Sequence, residues 1–200
     1  MKTIWYYLKQ SFIPIMYTAF DAAIALGILC IEGLPALKII LLLANFALFI
    51  FIVFSFFKTE GQKSFKTRIA NDLERKRMIE TGEDRPINSI EEYKPWKGFV
   101  MGIVASFPLI IILIIHTVMI AINFTATGAG ALGAIFYAMI YGFVMAVTTE
   151  LTAYTYYFMA VYIVVLAITV GLGYMVGAKR LESQQEMIKE KHRQIYGDKN

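Results

Sequence analysis

The chain has little of the chemistry on which most enzymes and metal proteins depend. It holds one cysteine, Cys30, and two histidines, His116 and His192. A lone cysteine excludes an intrachain disulfide, and within an apolar run Cys30 reads as a small core residue. Two histidines and one cysteine are too few for a conventional His/Cys metal cage. There is no GxxxxGK[ST], HExxH, CxxC or GxSxG motif. The glycines at Gly128, Gly130 and Gly133 follow no strand and lack a nucleotide-binding context. Two acids, Asp21 and Glu150, without a motif do not define an intramembrane active site. The expectation is therefore a protein that is not an enzyme and has no cofactor and no metal site.

Charge is also scarce over long stretches, and what is present is apolar. The hydrophobic share of the 200 residues is 58% and the mean hydropathy is +0.60, too apolar for a soluble chain of this size. Several runs are long enough to cross the roughly 30 Å bilayer core, which takes about 20 helical residues. Short alternating strands of a barrel are absent. The fold class expected is all-α: a polytopic helical membrane protein with four to five transmembrane helices and a cytoplasmic amphipathic helix.

Four regions follow. Residues 1–57 form an N-terminal interface segment and a transmembrane hairpin. Trp5, Tyr6 and Tyr7 suit the headgroup level, and Lys2 and Lys9 suit the cytoplasmic side. The first span runs from about Phe12 to Cys30. It reads as an uncleaved helix, because Leu29 stands where lipid attachment at Cys30 needs a small residue and no small-x-small cleavage site follows. Gly33 and Pro35 turn the chain into a second span, about Pro35–Phe57, with Asn45 as its strongly polar side chain.

Residues 58–97 form a charged arm with ten Lys/Arg and eight acids. Its mixed charge beside a membrane points away from nucleic acid. Within it, Gln62–Thr81 reads as an amphipathic helix, with Phe65, Ile69 and Leu73 on one face and Ile79 extending it. That helix either lies on anionic lipid or packs its stripe under the bundle. Asp72 and Lys76 form an i,i+4 pair, and Gly82 is the expected C′ residue.

Residues 98–177 form a second membrane block of two or three helices. A third span, Phe99 to about Ile122, contains Pro108, which predicts a kink. Gly130, Ala134, Ala138, Gly142 and Ala146 make a small-residue stripe suited to close helix packing. The last span, about Phe158–Val176, ends in Gly173 and Gly177 at GxxxG spacing. Residues 178–200 form a charged helical tail with a thin Leu181, Ile188, Ile195 repeat.

Basic residues favour the cytoplasmic side, which places the N-terminus and residues 58–97 inside. The tail also carries basic residues at its helix end, yet three full spans after Lys97 would put it outside. The favoured solution makes Gly130–Val147 a partial segment, giving four full spans and a cytoplasmic C-terminus. The alternative is five spans with an external tail.

Ionisable groups at membrane depth are costly and mark candidate sites. Asp21 and His116 are two. Gly102, Ser106, His116 and Thr117 share an arc of about 100° on the third helix. His116 could then meet Asp21 or Asn45. The candidate ligand or proton path is Asp21, Asn45, Ser106 and His116. The competing reading is that these groups bond one another and only fix helix packing.

Two stretches carry a resemblance: Lys97-Gly98 with Gly102 and Pro108, and Gly173–Gly177 followed by Lys179-Arg180. They resemble small, uncharacterised multi-pass membrane proteins of Gram-positive bacteria. The resemblance implies a bacterial plasma-membrane location and transfers no functional residue. The function expected is a non-enzymatic accessory or scaffold component of that membrane. The alternative is a small transporter or substrate-binding subunit with an intramembrane Asp/His site. Expected partners are the lipid bilayer and either a second copy or another membrane-complex subunit.

Overall fold

The computed structural model describes residues 2–31, 35–121 and 155–196, and all the regular structure among them is helical. Some side chains within these helices, including those of His116 and Thr117, lie outside the description. So do Gly130, Ala134, Ala138, Gly142 and Ala146. The helices are α1 (Lys2–Leu29), α2 (Pro35–Thr81), α3 (Pro95–Ala121) and α4 (Thr155–Tyr196).

Two of these, α2 and α4, are long and apolar enough to cross a membrane by length and composition. Neither stops where its composition changes. The Gln62–Thr81 segment is not a separate helix but the second half of α2, 47 residues long. Likewise the charged tail continues α4 without a break to Tyr196. Lys, Glu and Gln propagate a helix almost as well as Leu, so a switch from oily to charged residues gives the backbone no reason to stop. What ends α2 is Gly82. It adopts φ +71°, a left-handed conformation that glycine enters without a Cβ penalty, and its N–H donates to the Met78 carbonyl at 2.9 Å.

The stripe on this half of α2 is only partly covered. Phe65 is buried, with its ring edge-on to Tyr93, while Leu73 and Ile79 are exposed. Asp72 pairs with Arg75, one turn away at i,i+3, and not with Lys76. One turn into the apolar half, Lys38 adds a charged residue that a description of this segment by Asn45 alone leaves out.

Side-chain contacts fix the helix directions. On α2 and α4, Phe49 stacks on Tyr162, the Phe54 carbonyl lies against Gly173, and the Lys58 carbonyl lies against Gly177. Both numbers rise together, so α2 and α4 run parallel. Between α1 and α2, Asn45 bonds Asp21 and Gln10 bonds Glu60, an antiparallel order. The Ser11 hydroxyl donates to the Met101 carbonyl and Lys97 sits over the Tyr6 ring, so α1 and α3 are parallel. Gly98 meets Tyr174 while Gly102 meets Ala167, so α3 and α4 are antiparallel. The start of α1, the 82–94 connection and the end of α4 therefore share one end of the bundle. Leu29, Pro35, Ala121 and Thr155 share the other.

At the centre is α4. Tyr162, Leu166, Val170 and Tyr174 recur every four residues and are buried against Phe49, Val53 and Phe57 of α2 and Met101 and Leu109 of α3. Glycines make this approach possible. A Cβ at Gly173 would lie 2.7 Å from the Phe54 carbonyl oxygen, and one at Gly102 would lie 2.7 Å from the Ala167 Cα. Gly61 and Gly177 admit the Tyr174 and Lys58 carbonyls directly. The outward faces stay apolar. Phe51 is 67% exposed and Ile40 62% exposed on α2. Water would penalise such faces, whereas lipid would not.

Candidate functional site

The face that α1 turns to the bundle is unusual for an apolar helix. Ser11, Pro14, Thr18, Asp21 and Ala25 are its buried residues, spaced three and four apart along one side of the helix. The large residues Phe12, Met16, Phe20 and Ile24 point away and are exposed. A seam of small and polar side chains thus attaches α1 to its neighbours.

Asp21 is the focus of that seam. It is 6% exposed. The Asn45 amide donates to its Oδ1 at 2.5 Å and to its backbone carbonyl at 3.2 Å. The Tyr162 hydroxyl donates to Oδ2 at 3.4 Å, a long contact for a bond of this type. Thr18, one turn earlier, donates its hydroxyl to the Pro14 carbonyl at 2.8 Å. Among the described ion pairs none includes Asp21. Phe46 and Phe49 flank the Tyr162 ring at 5.9 and 5.8 Å, so the carboxylate sits at the edge of an aromatic group.

The structure thus brings Asp21 and Asn45 together and adds Tyr162 from α4. Ser106 is fully buried, but its hydroxyl is turned back to the Gly102 carbonyl of its own helix, at 2.9 Å. The His116 side chain lies outside the described residues. Tyr162 was not legible as a partner because tyrosine is common in membrane helices and its depth gives no signal of its own.

A second polar centre lies at the charged end of the bundle. Lys97 is only 4% exposed. Its ammonium donates to the Ile90 and Glu92 carbonyls at 2.6 and 2.5 Å and stands 6.0 Å from the centre of the Tyr6 ring. Burial pulls its pKa down from the ordinary lysine value. Arg75 holds Glu92 at 2.7 Å, and this contact keeps the Glu92 carboxyl below the usual glutamate range. Asn71 donates to the Asn88 carbonyl at 3.0 Å, and the Tyr93 N–H donates to the Ser64 carbonyl. Together these bonds tie the 82–94 connection down against α2. Most acceptors here are backbone carbonyls, which leave no mark in sequence.

Among the described residues no group of three or more His, Cys, Asp or Glu could hold a metal ion. No protein-family model, curated protein or solved structure matches the chain.

Proposed function

We propose that the chain is a four-span protein of the plasma membrane and works as a non-enzymatic scaffold or accessory component. In this reading it presents the 58–97 arm and the 178–200 tail together on the cytoplasmic side. The observation that carries this reading is the parallel run of α2 and α4, which delivers both charged segments to one end.

The levels of the four helices support it. Tyr6, Ser64, Lys97 and Tyr174 mark one plane, since Tyr6, Ser64 and Tyr174 interact and Lys97 stands over Tyr6. From that plane to the far end the helices run roughly 19 to 29 residues, or about 28 to 44 Å, which brackets the roughly 30 Å hydrocarbon core. Trp5 and Trp96 flank the plane, 71% and 53% exposed, where an interfacial belt belongs. Since α3 ends and α4 begins at the same end of the bundle, we read the chain as four full spans with 130–147 as a partial segment rather than five spans with an external tail.

A second reading is supported by the polar seam of α1. A carboxylate at membrane depth, held among the described residues by an amide and a phenol, suits a subunit that binds a charged solute. The seam and the scaffold are compatible in one molecule.

Thiol labelling in intact cells tests the topology. Cys30 is exposed at the end opposite the arm, and it should react with a membrane-impermeant maleimide from outside. In a Cys30→Ser background, Ser89→Cys and Ser183→Cys should react only after lysis. Labelling of Ser183→Cys in intact cells would overturn the shared-end arrangement.

A further inference from the structure

The geometry points to Asp21 as the binding carboxylate of a site for a lipophilic organic cation, formed where α1, α2 and α4 meet. This rests on the second reading above and names the ligand it would take. Three observations support it.

The first is charge. A carboxyl in an apolar interior keeps its charge only beside a compensating cation, and among the described residues no ion pair supplies one. Its two oxygens are also unequally served. Among the described contacts Asn45 holds Oδ1 closely, while Tyr162 reaches Oδ2 only at 3.4 Å. The more weakly held oxygen is the one on the aromatic side.

The second is the wall beside it. Tyr162 and Phe49 are stacked with their planes 17° apart, and Phe46 closes the group. A carboxylate next to aromatic faces is the combination that recognises an organic ammonium or phosphonium, through ion pairing and cation–π attraction. A bare inorganic cation wants a cage of oxygens instead. The Asn45 amide presents its N–H groups here, not its oxygen, so such a cage is not built.

The third is access. Beyond Tyr6 and Tyr7, which pack on the core at the charged end, α1 meets its neighbours through Ser11, Thr18 and Asp21 rather than interlocked large side chains, and its outer face is apolar and exposed. Small residues interlock least, so α1 is the helix that can shift to admit a ligand already dissolved in the bilayer. A cation carrying apolar groups reaches membrane depth, whereas a strongly hydrated ion does not.

The test uses the full chain purified in dodecyl maltoside and radiolabelled tetraphenylphosphonium, with tetraphenylborate as an anion of the same shape. Saturable binding of the cation near one per chain is expected, without competition from the borate. Asp21→Asn should weaken it more than tenfold, Asp21→Glu should keep it within a few-fold, and Phe49→Leu should weaken it several-fold at unchanged charge. Equal displacement by the borate, or undiminished affinity in Asp21→Asn, would overturn the site. Should Asp21→Asn fail to fold, the borate comparison and Phe49→Leu still decide. Binding in micelles does not depend on orientation, so failure here and failure of the labelling pattern are separate results.

Discussion

Replacing Gly177 by alanine adds one methyl group at the tightest place in the bundle. A Cβ there falls on the Lys58 carbonyl, with the Lys58 carbonyl carbon 2.7 Å and Cα 2.9 Å away. Both neighbours are backbone, so no side chain can rotate aside and α4 must move off α2 by roughly an ångström. A gap of that size forfeits about a quarter to a half of the dispersion attraction at each contact it opens. The affected contacts include Phe57 and Val170, both at 0% exposure. Overpacking of this kind costs about 1–3 kcal/mol. Against it, alanine is favoured over glycine in a helix by about 1 kcal/mol, which leaves a net loss of up to about 2 kcal/mol. The same change at Gly27, where an added Cβ meets nothing within 4 Å, keeps only the favourable part. Thermal unfolding in nanodiscs, followed by near-UV circular dichroism, should therefore move in opposite directions. Gly177→Ala should melt several degrees lower and Gly27→Ala slightly higher than the parent chain. If both variants melt higher, α2 and α4 are not in contact at Gly177 and the shared direction of the two helices loses its main support.

Two further predictions concern the connection strapped to α2. Lys97→Met leaves the Ile90 and Glu92 carbonyls without their donor, at a cost of about 1–3 kcal/mol for buried groups. Amide hydrogen exchange over residues 87–94 should quicken several-fold while α4 stays protected. The pKa of Lys97 is lowered in the fold, so the unfolded chain binds the extra proton and the parent gains stability as pH rises through the folded value. A neutral amine still has two N–H groups for the two carbonyls, so the advantage over Lys97→Met should widen on the alkaline side. Glu92 has the opposite sign: its pKa is lowered from 4.5 by Arg75, so its contribution is full above that value and is lost as pH falls through the folded one. Glu92→Gln should accordingly flatten the acid limb of the melting profile, and a limb identical to that of the parent would show that the Arg75 contact carries no stability.

Asp21 and Asn45 were legible because each stands almost alone among apolar residues, where a polar group must find a partner. That they find each other follows from the antiparallel order of α1 and α2. Composition misplaced the helix ends for a physical reason. Lys58 and Ala178 mark changes of side-chain polarity, not of backbone, and Gly61 looks like a break although it serves as the seat for the Tyr174 carbonyl. The burial of Lys97 was illegible for another reason. In sequence it is one of several lysines beside a tryptophan, and what neutralises its cost is a pair of backbone carbonyls whose position depends on the folded connection. The parity conflict between tail and arm could be posed from charge alone, whereas the shared direction of α2 and α4 is visible only in the order of contacts along them.

The absence of any joint in α2 has a mechanical meaning. Beyond Gly61 the helix extends about 30 Å to Thr81, past the Tyr174 contact, with no further glycine or proline to absorb a bend. In the four-span reading proposed above, this stiff rod is a lever whose fulcrum is the glycine contact with α4. Tilting the buried half by about 10° would carry the Thr81 tip sideways by about 5 Å, given that 30 Å arm. Bilayer thickness, lateral pressure or a shift of α1 at Asp21 would thus each register as a displacement at the far tip, without any part of α2 changing its internal shape.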